Sequence, residues 1–399
     1  MRGEVFDKVP LSYYLSGPIR NGYSPSENQD WTGMQMLGLG CLTPKGFQPR
    51  QLKNAPAGIP LDHSAMLSDG DILMSRANTR ELVGLAGTYR DIGTPCIYPD
   101  LMMRLCPSDL CIPEFLEVLL QSSSVRRRVI ASAQGTSESM VKISAGTVQD
   151  TPVPLVPLAE QRRIVEALDA VTASRKSIET SIAKHRVIRS EVMRQFFHDK
   201  SIPRLQLGLV AKVSSGSTPS RACADYWRSG TIPWVRTAEV NFSEINATKE
   251  HVTHEAVART GLKVHPKNTV LLAMYGEGVT RGRSAILGTE ATVNQATAAI
   301  SCDPKRLDYR YLYYWLELSY EKIRKIGHGS NQTNLSGSLV ESLTLPLPTL
   351  KGQMEFIEPL RALDEHIGAE TDSVTKLNTL RQGVADDFLA AGVRFRDAP

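Results

Sequence analysis

The chain repeats itself once, at a distance of 192 residues. A Pro-rich strand-like segment, Thr151-Pro152-Val153-Pro154-Leu155-Val156-Pro157-Leu158, leads through Gln161 into a long heptad helix. It returns as Leu343-Thr344-Leu345-Pro346-Leu347-Pro348-Thr349-Leu350, with Gln353 and a second helix. Upstream marks keep the shift: Lys142-Ile143-Ser144 against Asn334-Leu335-Ser336, and Gly135 against Gly327. A period this long excludes a solenoid of small repeats and implies a duplicated domain with its helix. Two similar units imply two similar targets.

Between Leu158 and Phe197 there is neither Pro nor Gly, which predicts one long helix. Ile164, Leu168, Val171, Arg175, Ile178, Ile182, His185, Arg189, Val192 and Phe196 alternate in steps of four and three, the seam of a coiled coil with three polar positions. In the second copy Leu360, Leu363, Ile367, Glu370, Val374, Leu377, Arg381, Val384 and Phe388 do the same. Pro359 costs a mid-helix position about 3 kcal/mol, so this helix is expected to start there, after a short helical turn from Lys351 to Glu358. Each seam needs a partner. The simplest packing is an antiparallel pair about 50 Å long with the domains at opposite ends; pairing with other protein chains competes with it.

A chain of 399 residues, 41% apolar and 22% charged, holds two or three ordinary globular domains. The opening Met1-Arg2-Gly3-Glu4-Val5-Phe6-Asp7-Lys8 carries no signal-peptide pattern and no run is apolar enough to span a membrane, which suggests the cytoplasm. The six cysteines, Cys41, Cys96, Cys106, Cys111, Cys223 and Cys302, are scattered without a Cys-x-x-Cys pair and read as buried reduced thiols. His251 and His254 lack a third ligand in a metal pattern. Lys plus Arg minus Asp plus Glu is −1 over residues 1–157, +3 over 158–200, +5 over 201–349 and −3 over 350–399. The positive excess of the first helix and second unit suits a polyanion.

Gly70-Asp71-Ile72-Leu73-Met74-Ser75 and Asn268-Thr269-Val270-Leu271-Leu272-Ala273-Met274 are turn-to-strand signals at matching places. Ile112–Val129 and Tyr309–Ile326 read as amphipathic helices. The expected fold is α+β: two similar α/β domains separated by two long antiparallel coiled-coil helices, a pseudo-two-fold internal repeat. The boundaries are 1–157 and 199–349 for the domains, 158–198 and 350–392 for the helices, and 393–399 for a tail.

Catalytic patterns are absent. No phosphate loop, amino-methyltransferase motif or nucleophile elbow occurs, and Gly38-Leu39-Gly40, Gly276-Glu277-Gly278 and Asp303-Pro304-Lys305 lack the residues that would complete one. No catalytic or metal-binding residue is assigned. Binding chemistry is better represented. Arg76, Asn78 and Arg80 follow a predicted strand, and Arg and Asn make bidentate pairs with guanine and adenine edges. In the second unit Ser215, Ser217, Thr218 and Arg221 form a polar turn suited to phosphates, and Trp234, Arg236, Tyr275, Arg281 and Arg283 add aromatic and cationic groups.

On these residues the chain resembles the specificity subunit of type I restriction-modification systems. The resemblance is carried by Pro154-Leu155-Val156-Pro157-Leu158-Ala159-Glu160-Gln161-Arg162-Arg163-Ile164-Val165 and its echo Leu345-Pro346-Leu347-Pro348-Thr349-Leu350-Lys351-Gly352-Gln353. The domain marks are Gly70-Asp71-Ile72-Leu73, Gly216-Ser217-Thr218-Pro219, Ile232-Pro233-Trp234-Val235 and Asn331-Gln332-Thr333-Asn334-Leu335. The resemblance implies two target recognition domains, each reading half of an asymmetric bipartite site in double-stranded DNA. It also implies two partner methyltransferase subunits that bring S-adenosylmethionine, with no cofactor on this chain, and motor-nuclease subunits that join them. Glu160, Gln161, Arg162 and Gln353 are then candidate partner contacts. Lys351, Gly352 and Pro359 depart from the first copy. The alternatives are a nuclease-free methylation or related phage-defence complex, and a coiled-coil scaffold without DNA contact. An enzyme acting alone ranks third.

Overall fold

The computed structural model describes residues 6–135, 140–276, 279–326 and 335–391. Gly327, Asn331 to Asn334, Glu277, Gly278 and the 393–399 tail of the sequence reading lie outside them. The helices are α1 (Pro113–Gln121), α2 (Ser123–Ala131), α3 (Ala145–Gln149), α4 (Leu158–His198), α5 (His254–Thr260), α6 (Tyr309–Lys325), α7 (Gly337–Ser342) and α8 (Leu350–Ala391). The chain forms two compact units, Met1–Glu179 with Asp372–Pro399, and Thr180–Thr371. Each holds a segment of both long helices.

In the first unit a four-stranded antiparallel sheet runs in the order Arg20–Asn21, Met102–Leu105, Ile72–Ser75, Ala86–Thr88. A second sheet sets Gln35–Leu37 between a parallel neighbour, Cys96–Ile97, and an antiparallel one, Leu52–Asn54. The second unit repeats both. Ala211–Ser215, Thr297–Cys302, Val270–Ala273 and Ser284–Leu287 follow in the first order, with Glu244–Ile245 added at the edge. Ile232–Val235 lies between parallel Thr292–Val293 and antiparallel Glu250–Val252. The duplication therefore extends through the globular parts. Its shift is 198 at the central strands, Ile72 to Val270, and 192 beside the helices, Pro152 to Thr344.

Both central strands are buried throughout because each is covered on two faces. Ile72 and Met74 pack on α1 through Phe115, Leu116 and Leu119, whereas Leu73 faces Met36, Leu37 and Ile97. Val270 and Leu272 face Tyr311, Leu312 and Trp315 of α6, and Leu271 and Ala273 face Val235 and Val293. Period-two alternation between two cores hides the polar face that a half-exposed strand would show. Each strand is entered by a left-handed residue, Gly70 (φ 92°) and its counterpart Asn268 (φ 70°), the two residue types that tolerate that turn most readily.

The expected helix Ile112–Val129 is two helices. Ser122 is extended (ψ 146°), and its Oγ accepts the Val125 N–H at 3.4 Å, capping α2. In the second copy α6 is unbroken. The second long helix also departs from expectation, since α8 begins at Leu350 and continues through Pro359. Pro359 and Glu355 are exposed, so water can take up the carbonyl left without a donor, while Phe356, Ile357 and Leu360 are buried around them. That anchorage offsets the cost of the proline.

Alongside each other, α4 and α8 run antiparallel. In the first unit Ile164 and Leu168 share a core with Ala385 and Leu389; in the second Met193 and Phe197 share one with Phe356, Ile357 and Leu360. The seam slips near the end of α4: Val192 is exposed, and Met193 and Phe197 take the buried positions. No helix among the described residues is long and apolar enough to cross a membrane. All six cysteines are free. Cys41, Cys96 and Cys111 are buried, Cys223 and Cys302 are half-buried, and Cys106, contrary to expectation, is exposed. Burial pushes the Cys96, Cys111 and Cys302 thiols up to about 12.

Candidate nucleic-acid interface

Both domains are closed by the same device. Lys8–Pro10 pairs antiparallel with Pro152–Pro154, and Arg204–Gln206 with Thr344–Pro346. Proline, which has no N–H to donate, fits such a two-stranded edge because few of the strand's N–H groups are needed there. A buried tyrosine then ties the strap down. Tyr14 Oη donates to the Pro154 carbonyl at 2.9 Å, and Tyr311 Oη to the Pro346 carbonyl at 2.8 Å, the same position reached from different elements. Burial raises both phenols, Tyr14 to about 12.

Gln161 and Gln353 follow the straps, and neither is a partner contact. Each is fully buried. Gln161 Oε1 accepts the Ile112 N–H at 2.9 Å, and its Nε2 donates to the Leu110 and Val156 carbonyls at 3.0 and 2.8 Å. Gln353 Oε1 accepts the Asp308 N–H at 2.8 Å, and its Nε2 donates to the Arg306 and Pro348 carbonyls at 2.8 and 3.0 Å. Ile112 and Asp308 are the N-cap residues of α1 and α6. The repeated glutamine is thus a latch between a long helix and the helix of its domain. Glu160, half-buried, pairs with Arg163 at 3.2 Å, and Arg162 is exposed.

In the first unit, Arg76 leaves strand Ile72–Ser75 and is half-buried, its Nη1 3.5 Å from the Asp100 carbonyl. Asn78 lies in a short strand, Ala77–Asn78, paired with Val141–Lys142; its Oδ1 accepts the Thr79 N–H at 2.8 Å. Arg80 is half-buried. The Asp100 carboxylate accepts from Ser24 Oγ at 2.5 Å, which brings the exposed segment around Tyr23 beside Arg76. Tyr23 is 44% exposed, and Trp31, farther along this segment, is 56% exposed. Sequence reasoning missed Tyr23, Ser24, Asp100 and Trp31. An aromatic in a Gly/Pro/Ser-rich stretch such as Asn21-Gly22-Tyr23-Ser24-Pro25 was the available signal.

In the second unit, separate stretches converge on one carboxylate. Arg221 Nη1 lies 2.6 Å from Glu250 Oε2, and Arg236 Nη1 donates to Glu250 Oε1 at 3.2 Å. The Arg221 guanidinium also sits 3.7 Å above the Trp227 ring, which meets Trp234 edge-on at 5.0 Å. Trp234 is itself buried, and its Nε1 donates to the Ser217 carbonyl at 3.1 Å, so it holds the polar turn in place. Thr218 Oγ1 donates to Gln295 Oε1. Ser215 is exposed and Ser217 half-buried. Half-buried Tyr275 approaches the Ala296 carbonyl through its backbone N–H. Arg281 is buried and donates to the Arg324 carbonyl at the end of α6, fastening its own turn there. Arg283 is half-buried. The arrangement presents two guanidinium groups, pre-positioned by Glu250, on an indole floor beside hydroxyl groups.

The type I restriction modification DNA specificity domain family matches residues 204–379, which take in this second site, α6 and most of α8. That stretch is a type I restriction-modification DNA specificity domain. The chain is similar to the EcoR124I/EcoR124II specificity subunit of Escherichia coli, at 22% identity over 57% of this chain and 58% of that one. It thus spans little more than half the length of this curated relative. In fold it is similar to a chain from a structure describing complex assembly and conformational transition of the type I R-M system, with TM-score 0.64, 17% identity and coverage of 98% and 100%. A second similar fold is the type I system S subunit from M. genitalium, with TM-score 0.56, 14% identity and coverage of 96% of each chain. The domain family and the curated relative point to type I specificity subunits, and the two solved structures share the fold.

Proposed function

We propose that this specificity subunit reads an asymmetric, two-part site in double-stranded DNA, one half per unit. One observation carries the reading. A single sheet topology occurs twice, with different loop chemistry in each copy: Arg76 beside Asp100 and Tyr23 in one, Arg221 and Arg236 around Glu250 in the other. Matched frames with divergent readers suit two different half-sites. Exposed cations such as Arg20, Lys212, Arg228 and Lys249 would meet phosphates and supply affinity. Arg76, Asn78, Arg221 and Arg236 would choose bases.

The chain itself performs no chemistry in this reading. Two methyltransferase subunits would dock on it and bring S-adenosylmethionine, motor-nuclease subunits would join where the system cleaves, and the assembly would work in the cytoplasm. The test is methylation mapping in a host carrying this chain and its methyltransferase partner. An asymmetric two-part motif is expected, and a continuous motif overturns the proposal. In a DNA shift assay, Arg76→Ala or Arg236→Ala should weaken specific binding by ~1–3 kcal/mol and spare non-specific binding. A scaffold without DNA contact would instead show no salt-sensitive DNA affinity.

A further inference from the structure

Within the second unit, three metal-capable side chains converge where α4 and α8 lie together. His185 comes from α4, and His366 and Glu370 from α8, four residues apart and so on one face. His185 Nδ1 is 3.2 Å from Glu370 Oε2, and His366 Nε2 is 3.6 Å from Glu370 Oε1. The two imidazole rings meet edge-on at 4.8 Å, and all three donor atoms lie within 4.8 Å of one another. Ligand atoms around a tetrahedral zinc ion, each about 2.1 Å from the metal, stand roughly 3.4 Å apart. Each imidazole already lies at about that distance from the Glu370 carboxylate, through a different oxygen in each case.

We propose that His185, His366 and Glu370 form a site for a divalent transition cation of the zinc class. Two imidazoles and one carboxylate select such an ion over magnesium or calcium, which prefer oxygen ligands. Three protein ligands leave a fourth position for water. The His366 side chain is 56% exposed and gives the ion a way in, whereas those of His185 and Glu370 are 27% and 16% exposed. Ser181 donates a hydrogen bond to the Glu370 carboxylate. Ser181 is thus the kind of outer partner that orients metal ligands. Two of the three ligands occupy seam positions where an apolar residue would pack better. A bound ion would clip α4 to α8 at that weak point and stabilise the folded chain in proportion to its occupancy. The proposal does not depend on the DNA reading.

The experiment uses the full chain, stripped of metal with EDTA and titrated with Zn2+ against a chromogenic zinc indicator, with melting curves in parallel. The intact chain is expected to bind one zinc ion that His366→Ala and Glu370→Gln bind more than about tenfold more weakly. Its Tm should rise with Zn2+, and those of both variants should not. Zinc held by Cys106 or by His251 and His254 would be common to all three chains and cancel. Equal zinc affinity in the three chains overturns the proposal, as does an equal rise in Tm on adding Mg2+ instead.

Discussion

Gln161 and Gln353 show how far one residue can join two elements. Each is fully buried and saturates three backbone groups, so truncation strands buried donors and acceptors. Gln353→Ala should lower unfolding stability by about 2 kcal/mol or more in a urea titration, because each group left unsatisfied costs about 1–3 kcal/mol. His265 is a different residue-scale case. It is fully buried, and neither ring nitrogen has a hydrogen-bond partner among the described residues. Burial, helped by the nearby Lys263 charge, pushes it down to about 4. Above pH 6.5 both folded and unfolded chains hold it neutral and stability is untouched. As pH falls from 6.5 toward 4, the unfolded chain takes up a proton that the folded chain refuses. Stability should fall by up to about 3 kcal/mol over that window. His265→Leu should flatten the fall in denaturant titrations at a series of pH values; an unchanged slope would assign the loss to other groups.

At the scale of elements, the long helices are held at their ends by apolar cores and elsewhere by polar contacts. Arg189 of α4 illustrates the second kind. It donates to both Glu317 oxygens at 2.8 Å and to Asp364 at 2.5 Å, and Asp364 also accepts from Tyr314 at 2.8 Å. Burial opposes the Arg189 charge, but Glu317 and Asp364 outweigh it and hold the group protonated. The network joins α4, α6 and α8. Arg189→Leu should cost about 3 kcal/mol, at the lower end for a broken buried pair because the acids keep some solvent, and adding Asp364→Asn should restore part of it in the same denaturant assay. This network was legible in the sequence only as a polar seam position. Heptad spacing shows which residues face a neighbour, but Glu317 lies 128 residues from Arg189 and belongs to a domain helix. The slip from Val192 to Met193 and the passage of α8 through Pro359 were hidden for the same reason, since local pattern does not contain the core that Phe356, Ile357 and Leu360 enter.

For the whole molecule, duplication is the organising fact, and it bears on recognition. If each unit reads one half-site, altering a base pair in either half should reduce specific binding by about 1–3 kcal/mol, roughly additively, whereas altering the bases between them should do little. Competition shift assays at fixed salt measure this directly. From sequence alone came the repeat, the α+β class, the long helices and the absence of catalytic motifs. These are written in periodicity and spacing, which local steric rules impose on any chain with this pattern. Only the tertiary structure decided that Trp234 and Arg281 brace loops from within and that Gln161 and Gln353 are latches. It also decided that Arg221 and Arg236 share Glu250, and that His185 meets His366 and Glu370. Each depends on groups far apart in the chain being brought within a few ångströms by burial, a separation that no local pattern records.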